Sequence, residues 1–140
     1  MQLLHVKDLG KMSYAQALQV QRDAHAQVLA ARLNRGQMQL LLVEHDPQVI
    51  TVSRRVDAAK NVLVSPQGLA DLGVECVETD RGGDVTWHGP GQLVAYPILD
   101  LERMGLRIHG YMRLLEETVI QVLADFGLDA HRDAKATGVW

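Results

Sequence analysis

The sequence predicts an α+β fold in which a mixed β-sheet is flanked by helices. Three observations lead to this class. Short apolar runs of strand length recur along the chain, two long segments carry helical signals, and the strands and helices follow one another in irregular order. The 140 residues, 47% hydrophobic and 22% charged, are typical of one globular domain, which we expect to span residues 1–140.

The first predicted elements are a short strand and a long helix. The strand covers Leu3–Val6 and is expected to end at Leu9-Gly10. The helix covers Ser13–Leu33, because Ser13 and Gln16 have the spacing of a capping box. Asn34-Arg35-Gly36 supplies the residues that commonly end a helix.

The middle of the chain predicts strands and one short helix. Leu40–Val43 is a continuous apolar run, which indicates a central strand buried on both faces. After the Asp46-Pro47 turn, Val49–Ser53 is a second strand. Ser65-Pro66 begins a short helix with proline at its first position, and Gly73 ends it. Further strands are expected over Val74–Thr79, Asp84–Trp87 and Gln92–Pro97.

The clearest helix spans Ile108–Phe126. Its apolar residues recur at helical spacing without a break, and Gly127 stands just beyond its end. We expect this helix to cover the sheet. Leu128–His131 and Val139-Trp140 are then predicted to begin two further strands.

Composition and charge exclude several classes of function. A formal net charge of −3 argues against a nucleic-acid partner, and no apolar run reaches the length of a membrane span. The amino terminus lacks the pattern of a signal peptide, and one cysteine cannot form an internal disulfide, so a cytoplasmic location is expected. The six histidines lack ligand spacing, which predicts no metal site.

The most informative segment is the stretch from Arg81 to Tyr96. It places four glycines and a proline around one short strand, which is more than a hairpin turn requires. Glycines used in this way commonly let backbone N–H groups approach a ligand closely. Arg81, Thr86, His88 and Gln92 add polar groups of different geometry around this backbone.

These residues also resemble a known family. The pattern Arg-Gly-Gly-x-x-Thr-Trp-His-x-x-Gly-Gln-x-x-x-Tyr, followed by Pro97–Leu101, is similar to the signature of octanoyl-[acyl-carrier-protein]:protein octanoyltransferases, also called lipoyl(octanoyl) transferases. Leu41–Thr51 resembles the family's strand, turn and second strand, and the similarity runs from about Leu9 to Trp140. It implies the fold of the biotinyl and lipoyl protein ligase catalytic domain, in a chain that is C-terminally incomplete. The substrate-binding residues that the resemblance implies are Arg81, Gly82, Gly83, Asp84, Val85, Thr86, Trp87 and His88.

The resemblance further implies a reaction and its partners. An octanoyl group would pass from octanoyl-acyl carrier protein, through an acyl-cysteine thioester, to a lysine of lipoyl domains in 2-oxoacid dehydrogenase E2 subunits and the glycine cleavage H protein. No cofactor or metal is required, because a thioester is already activated. The family's catalytic lysine and cysteine follow Gly138-Val139-Trp140, so neither Lys135 nor Cys76 matches them. The resemblance therefore places no catalytic residue in this chain, and we expect the 140 residues alone to be inactive.

Two other functions stay open. An ATP-dependent lipoate or biotin protein ligase would share the fold, although its pattern is closer to Arg-x-x-Gly-Gly-Gly with a later His-Asp. A non-catalytic module that binds acyl-carrier protein is the second alternative. Arg81 could form an ion pair with Asp80 or Asp84, and the preferred interpretation of His45 is a residue that stabilises the Asp46-Pro47 turn.

Overall fold

The computed structural model describes residues 4–34 and 36–140, which form two compact units. The first unit ends at Leu99, and the second comprises Asp100–Trp140. Leu3, where we expected the first strand to begin, and Arg35, in the predicted helix end, lie outside the described residues.

Six strands of the first unit form two three-stranded sheets, each of them mixed. The strands are β1 (Leu4–Met12), β2 (Met38–His45), β3 (Val49–Ser53), β4 (Glu75–Thr79), β5 (Val85–His88) and β6 (Leu93–Ile98). One sheet has the order β1-β2-β6, and its central strand β2 runs parallel to β1 and antiparallel to β6. The other sheet has the order β4-β3-β5, and its central strand β3 runs parallel to β4 and antiparallel to β5.

The α+β class is confirmed, but two sheets replace the single sheet that we predicted. The division falls at Asp46-Pro47, where Pro47 has no N–H group to continue the β2 ladder, so the next strand belongs to the second sheet. His45 ends one central strand and Val49 begins the other, and both side chains are completely buried. The two sheets therefore meet in the core of this unit.

Strand β1 is longer than the sequence predicted. Gly10 was expected to end it, yet the strand continues to Met12 with a shift of register between Asp8 and Lys11. Gly10 has a φ of 61° and its N–H donates to Asp8 Oδ1 at 2.9 Å. The glycine therefore forms a bulge within the strand, as its access to positive φ allows.

The predicted capping box of the first helix is confirmed. Helix α1 (Tyr14–Ala30) begins after Ser13, whose hydroxyl accepts from the Gln16 N–H at 3.4 Å while the Ser13 N–H donates to Gln16 Oε1 at 3.2 Å. The helix ends before Leu33, and a 3₁₀ turn covers Arg32–Asn34.

The short predicted helix is present as α2 (Pro66–Asp71). Ser65 caps its first turn, and Pro66 occupies the first helical position, where a missing N–H costs no helical bond. Gly73 has a φ of 65°, and the Val74 N–H donates back to the Leu69 carbonyl, which closes the helix end as predicted.

The second unit contains helix α3 (Ile108–Asp125) and the segment that follows it. Glu116 is buried and joins the two, because its carboxylate accepts from Arg113 Nη1 at 2.6 Å, Arg132 Nε at 3.2 Å and the Gly138 N–H at 3.2 Å. The Gly138 N–H, followed by the two arginines, holds the pKa of Glu116 below its usual value although burial opposes this.

The two strands expected after α3 are reduced to one short pairing. His131 and Trp140 exchange both backbone hydrogen bonds at 2.9 Å, and Arg132 pairs with Val139. Within residues 4–34 and 36–140, no helix has both the length and the apolar character that crossing a bilayer requires.

Candidate functional site

The loop after β4 is fixed to β3 by one arginine. Arg81 Nε and Nη2 donate to Thr51 Oγ1 at 3.0 and 2.9 Å, and Nη2 also donates to the Thr51 carbonyl at 2.8 Å. Arg81 Nη1 donates to the Gly82 carbonyl at 2.8 Å. Among the described residues, the hydrogen-bond partners of Arg81 are hydroxyl and carbonyl oxygens, not the carboxylates of Asp80 or Asp84 that we considered. The guanidinium group therefore braces the loop against the sheet.

A serine on β3 holds the other side of the same loop. Ser53 Oγ donates to the Gly83 carbonyl, and the Ser53 N–H donates to the Asp84 carbonyl, both at 2.9 Å. The Asp84 carboxylate accepts from Asn61 Nδ2 at 2.8 Å. Ser53 therefore binds the loop backbone at two points, and Asn61 binds the side chain of Asp84.

Gly82 and Gly83 differ in whether their position would tolerate a side chain. Gly83 has a φ of 91°, which side-chain-bearing residues rarely adopt, and a Cβ there would come within 3.0 Å of Arg81 Nη1. A Cβ on Gly82 would meet nothing within 4 Å. Both glycines are exposed, so their backbone is open to an approaching group.

Strand β5 divides the predicted site residues between two faces of its sheet. Thr86 lies opposite Thr51 and His88 lies opposite Val49, so these four share one face. Trp87 lies opposite Ile50 on the other face. The structure therefore brings Thr86 and His88 to the side of the buried Thr51, on which Arg81 binds, and it turns Val85 and Trp87 away.

Trp87 packs near the end of its own strand. Its indole Nε1 donates to Gln48 Oε1 at 3.1 Å, and a Cβ on the buried Gly89 would collide with the indole ring. The side chain remains 44% exposed. Gly89 is thus required by the packing of Trp87.

Three rings surround the ring of His45 beside the loop. The centroid of the His45 ring lies 5.5 Å from Tyr14, 5.6 Å from His88 and 6.1 Å from Tyr96. His45 Nε2 and the Tyr96 hydroxyl are 2.9 Å apart, and His88 Nδ1 lies 2.6 Å from Gln92 Oε1. The site therefore contains two adjacent imidazoles, each with a polar partner.

Burial controls the protonation of this ring cluster. It lowers the pKa of His45, and the charge of the neighbouring His88 acts in the same direction, while the Met12 carbonyl partly opposes them. Burial also raises the pKa of Tyr96 to about 12. At neutral pH both groups are therefore uncharged, and the His45 tautomer determines which of them donates in the hydrogen bond between Nε2 and the hydroxyl.

The single thiol lies on the wrong face of the sheet for this site. Cys76 is opposite Ile50 and so shares a face with Trp87, not with Thr86 and His88. It lines an open cavity of about 370 Å³ together with Val74. The other lining residues are Val52, Ala59, Val62, Val64, Pro66, Leu69 and Ala70.

Sequence reasoning missed several residues that shape the site. Thr51 and Ser53 were assigned only to a strand, and His45 only to a turn, although all three are buried and polar. Tyr14 and Tyr96 also escaped notice as site residues. For the residues on strands the signal was a polar side chain within an apolar strand, which is costly unless the group has a partner, whereas Tyr14 begins helix α1 and gave no such signal.

Comparison with known proteins identifies relatives along the whole chain. The lipoyl protein ligase A/B catalytic domain family matches residues 13–140. The chain is 48% identical over 142 residues to an octanoyltransferase of Chloroflexus aurantiacus, and 45% identical over 135 residues to one of Geobacter metallireducens. These alignments cover 100% and 96% of the chain, but only 60% and 58% of the relatives. The chain thus spans about three fifths of the length of the curated relatives it matches.

Solved structures agree on the fold. A T. acidophilum protein described as a lipoate protein ligase, solved with bound lipoic acid, superposes with a TM-score of 0.55 at 16% identity. The superposition covers 92% of this chain and 49% of that one. From the family match over residues 13–140, we conclude that the chain belongs to the lipoyl protein ligase A/B catalytic domain family.

Proposed function

We propose that the protein acts as an octanoyltransferase, moving an octanoyl group from octanoyl-acyl carrier protein to lysines of lipoyl domains. The observation that carries this proposal is the identity of 45–48% to octanoyltransferases along 96–100% of the chain. The resemblance names lipoyl domains of 2-oxoacid dehydrogenase E2 subunits and the glycine cleavage H protein as acceptors, in the cytoplasm.

The geometry of the loop supports a binding role for the predicted residues. We propose that the exposed backbone of Gly82 and Gly83 lies against the thioester and that Thr86 and His88 line the same side. Arg81 has its guanidinium engaged with Thr51, so we assign it to holding this surface in shape. Asp84 helps to close the loop, whereas Val85 and Trp87 support it from the opposite face.

The proposed chemistry consists of two acyl transfers. A cysteine thiolate attacks the donor thioester, forming an acyl-cysteine and releasing the carrier's thiolate. The lysine amine of the acceptor then attacks the acyl-cysteine, the C–N bond forms, the cysteine thiolate leaves and one proton is released. The family places the reactive cysteine and lysine after the Gly-Val-Trp segment, and we propose that neither Cys76 nor Lys135 replaces them.

The structure supports that exclusion for the thiol. Cys76 faces a cavity whose other lining residues, among those that the structure describes, are all apolar and carry no charge. A nucleophilic cysteine needs a nearby positive charge or base to reach its thiolate form. We therefore propose that the residues from Arg81 to His88 supply the binding part of the site and that Cys76 is not its nucleophile.

Mass spectrometry of a lipoyl domain tests the function. The full gene product, supplied with octanoyl-acyl carrier protein and no ATP, should add one octanoyl group to a lysine of the domain. A parallel reaction with free octanoate and ATP distinguishes the ligase alternative. Modification only in the ATP reaction would refute the transferase. Modification in neither, together with measurable binding of octanoyl-acyl carrier protein, would favour the non-catalytic module.

A further inference from the structure

A surface loop after β3 is tied at both ends to the loop of the candidate site. Residues 54–60, which we call the basic loop, lie between Ser53 and Asn61. Ser53 Oγ donates to the Gly83 carbonyl at 2.9 Å, and Asn61 Nδ2 donates to Asp84 Oδ2 at 2.8 Å. A protein that docks on the basic loop is therefore held next to the glycine backbone that we proposed to lie against the thioester.

Local contacts hold the basic loop in one conformation. Ala58 is buried, and its N–H donates to the Arg55 carbonyl at 3.1 Å. Asp57 has a φ of 70°, a region that aspartate reaches more readily than most residues, and its carboxylate binds Lys60 Nζ at 2.6 Å. The Arg55 N–H donates to Ser53 Oγ at 3.2 Å. Because these contacts already order the loop, little conformational entropy is lost when a partner binds it.

The basic loop is positive although the whole chain is negative. It contains three of the 14 lysines and arginines but one of the 17 acidic residues, in a chain with a net charge of −3. Lys60 is paired within the loop, and Arg54 Nε lies 3.2 Å from Glu78 Oε1 in an ion pair exposed to solvent. Within residues 4–34 and 36–140, the Arg55 guanidinium makes no hydrogen bond or ion pair. Arg55 is therefore available to a carboxylate of another molecule.

An exposed aliphatic side chain stands next to this arginine. Val56 is 87% exposed. A single exposed valine is common on protein surfaces, but beside an unpaired guanidinium it adds the apolar contact that shields an interfacial charge from water. Arginine is itself enriched at protein interfaces. The combination favours a protein with an acidic surface over a small anion or a nucleic-acid backbone, which offers no apolar surface to match Val56.

We propose that the basic loop docks the acyl carrier protein, with Arg55 bound to carboxylates on an acidic face of the carrier and Val56 packed against its apolar atoms. This inference rests on the proposed function. The donor is chosen over the lipoyl domain because Ser53 and Asn61 tie the loop to the backbone proposed to receive the donor's thioester. The opposite charges of the two surfaces would speed their encounter and set their orientation.

Docking can be measured without any reaction. Fluorescence anisotropy of labelled octanoyl-acyl carrier protein, titrated with the full gene product, gives the Kd at several salt concentrations. Arg55→Glu should raise this Kd about tenfold and weaken its dependence on salt, whereas Arg55→Lys should stay close to the wild type. The control Lys7→Glu makes the same change of charge on β1, an edge strand of the other sheet, and should leave the Kd nearly unchanged.

A second variant tests the apolar contact separately from the charge. Val56→Ser should raise the Kd about threefold and leave its salt dependence as in the wild type, because no charge is altered. Both side chains are exposed, so these variants should unfold at the wild-type temperature. A Kd for Val56→Ser equal to that of the wild type would remove Val56 from the contact.

The same titration with a lipoyl domain separates the two protein substrates. Arg55→Glu should leave the Kd of the lipoyl domain unchanged. Equal weakening for the lipoyl domain and the carrier would overturn the assignment to the donor. A Kd for the carrier that is the same in Arg55→Glu and Lys7→Glu would overturn the docking surface itself, as would failure of the wild type to bind the carrier.

Transfer assays distinguish this proposal from the proposed function. In the full gene product, Arg55→Glu should raise the KM for octanoyl-acyl carrier protein about tenfold with little change in kcat, because the residue acts on encounter and not on the reacting atoms. Normal transfer with an unchanged KM in Arg55→Glu would overturn the docking surface and leave the function standing. Salt-dependent binding of the carrier through Arg55 without transfer would refute the function and support the docking surface.

Discussion

Arg81 encloses Thr51 with three hydrogen bonds, two to the hydroxyl at 3.0 and 2.9 Å and one to the carbonyl at 2.8 Å. Thr51 is almost completely buried, and its own hydroxyl donates to the Thr86 carbonyl at 3.2 Å. The central strand β3 thus links the loop of the candidate site to strand β5. Only the planar fork of an arginine can reach the hydroxyl and the carbonyl in this way.

Replacing Arg81 should weaken the fold as well as the proposed activity. Arg81→Ala leaves the buried oxygens of Thr51 without their donors, which we expect to lower the free energy of unfolding by about 1–3 kcal/mol. Arg81→Lys should recover only part of this, because an ammonium group lacks the fork. Urea denaturation measures both variants. Arg54→Ala is the control, since it removes an exposed ion pair with Glu78 that contributes little. Equal losses in Arg81→Ala and Arg54→Ala would show that the bracing contacts are unimportant.

The two loop glycines should respond differently to the same substitution. Gly83→Ala forces a Cβ onto a backbone with a φ of 91°, which we expect to cost about 1–2 kcal/mol. Gly82→Ala places its Cβ in open space and should be nearly neutral for stability. Thermal unfolding of both variants gives the comparison. If Gly82→Ala keeps its stability and still loses octanoyl transfer, close approach of the substrate to the loop is supported. Indistinguishable stabilities would contradict the strain assigned to Gly83.

Local sequence signals predicted the helices and strands well, and the contacts between distant segments poorly. The capping box of Ser13 and the Ser65-Pro66 start are local, since a few adjacent residues determine them. The bulge at Gly10 depends on pairing with β2, and the burial of His45 depends on where two sheets meet. The glycine-rich loop could be identified from its composition. The partners that hold it, Thr51 and Ser53, stand about 30 residues earlier, and only the register of β3 brings them there.

The burial of His45 predicts a specific dependence of stability on pH. Its pKa is lowered in the folded protein, whereas in the unfolded chain it returns to about 6.5. Below that pH the unfolded state binds a proton that the folded state resists, so the free energy of unfolding should fall as the pH falls. His45→Gln should remove this contribution, and the exposed His25→Gln should keep it. Urea titrations at several pH values measure the slopes. A slope in His45→Gln identical to that of the wild type would contradict the assignment.

The placement of Cys76 predicts that it stays unmodified by the acyl donor. The 140-residue chain, incubated with octanoyl-acyl carrier protein, should show no octanoyl adduct by mass spectrometry. Cys76 lies on the opposite face of the sheet from Thr86 and His88, where its surroundings are aliphatic. Cys76 is nevertheless exposed to solvent, so a maleimide should label its thiol and Cys76→Ser should abolish that labelling. This control separates an unreactive thiol from an inaccessible one. A stable octanoyl adduct that disappears in Cys76→Ser would identify Cys76 as a nucleophile and overturn its exclusion from the chemistry.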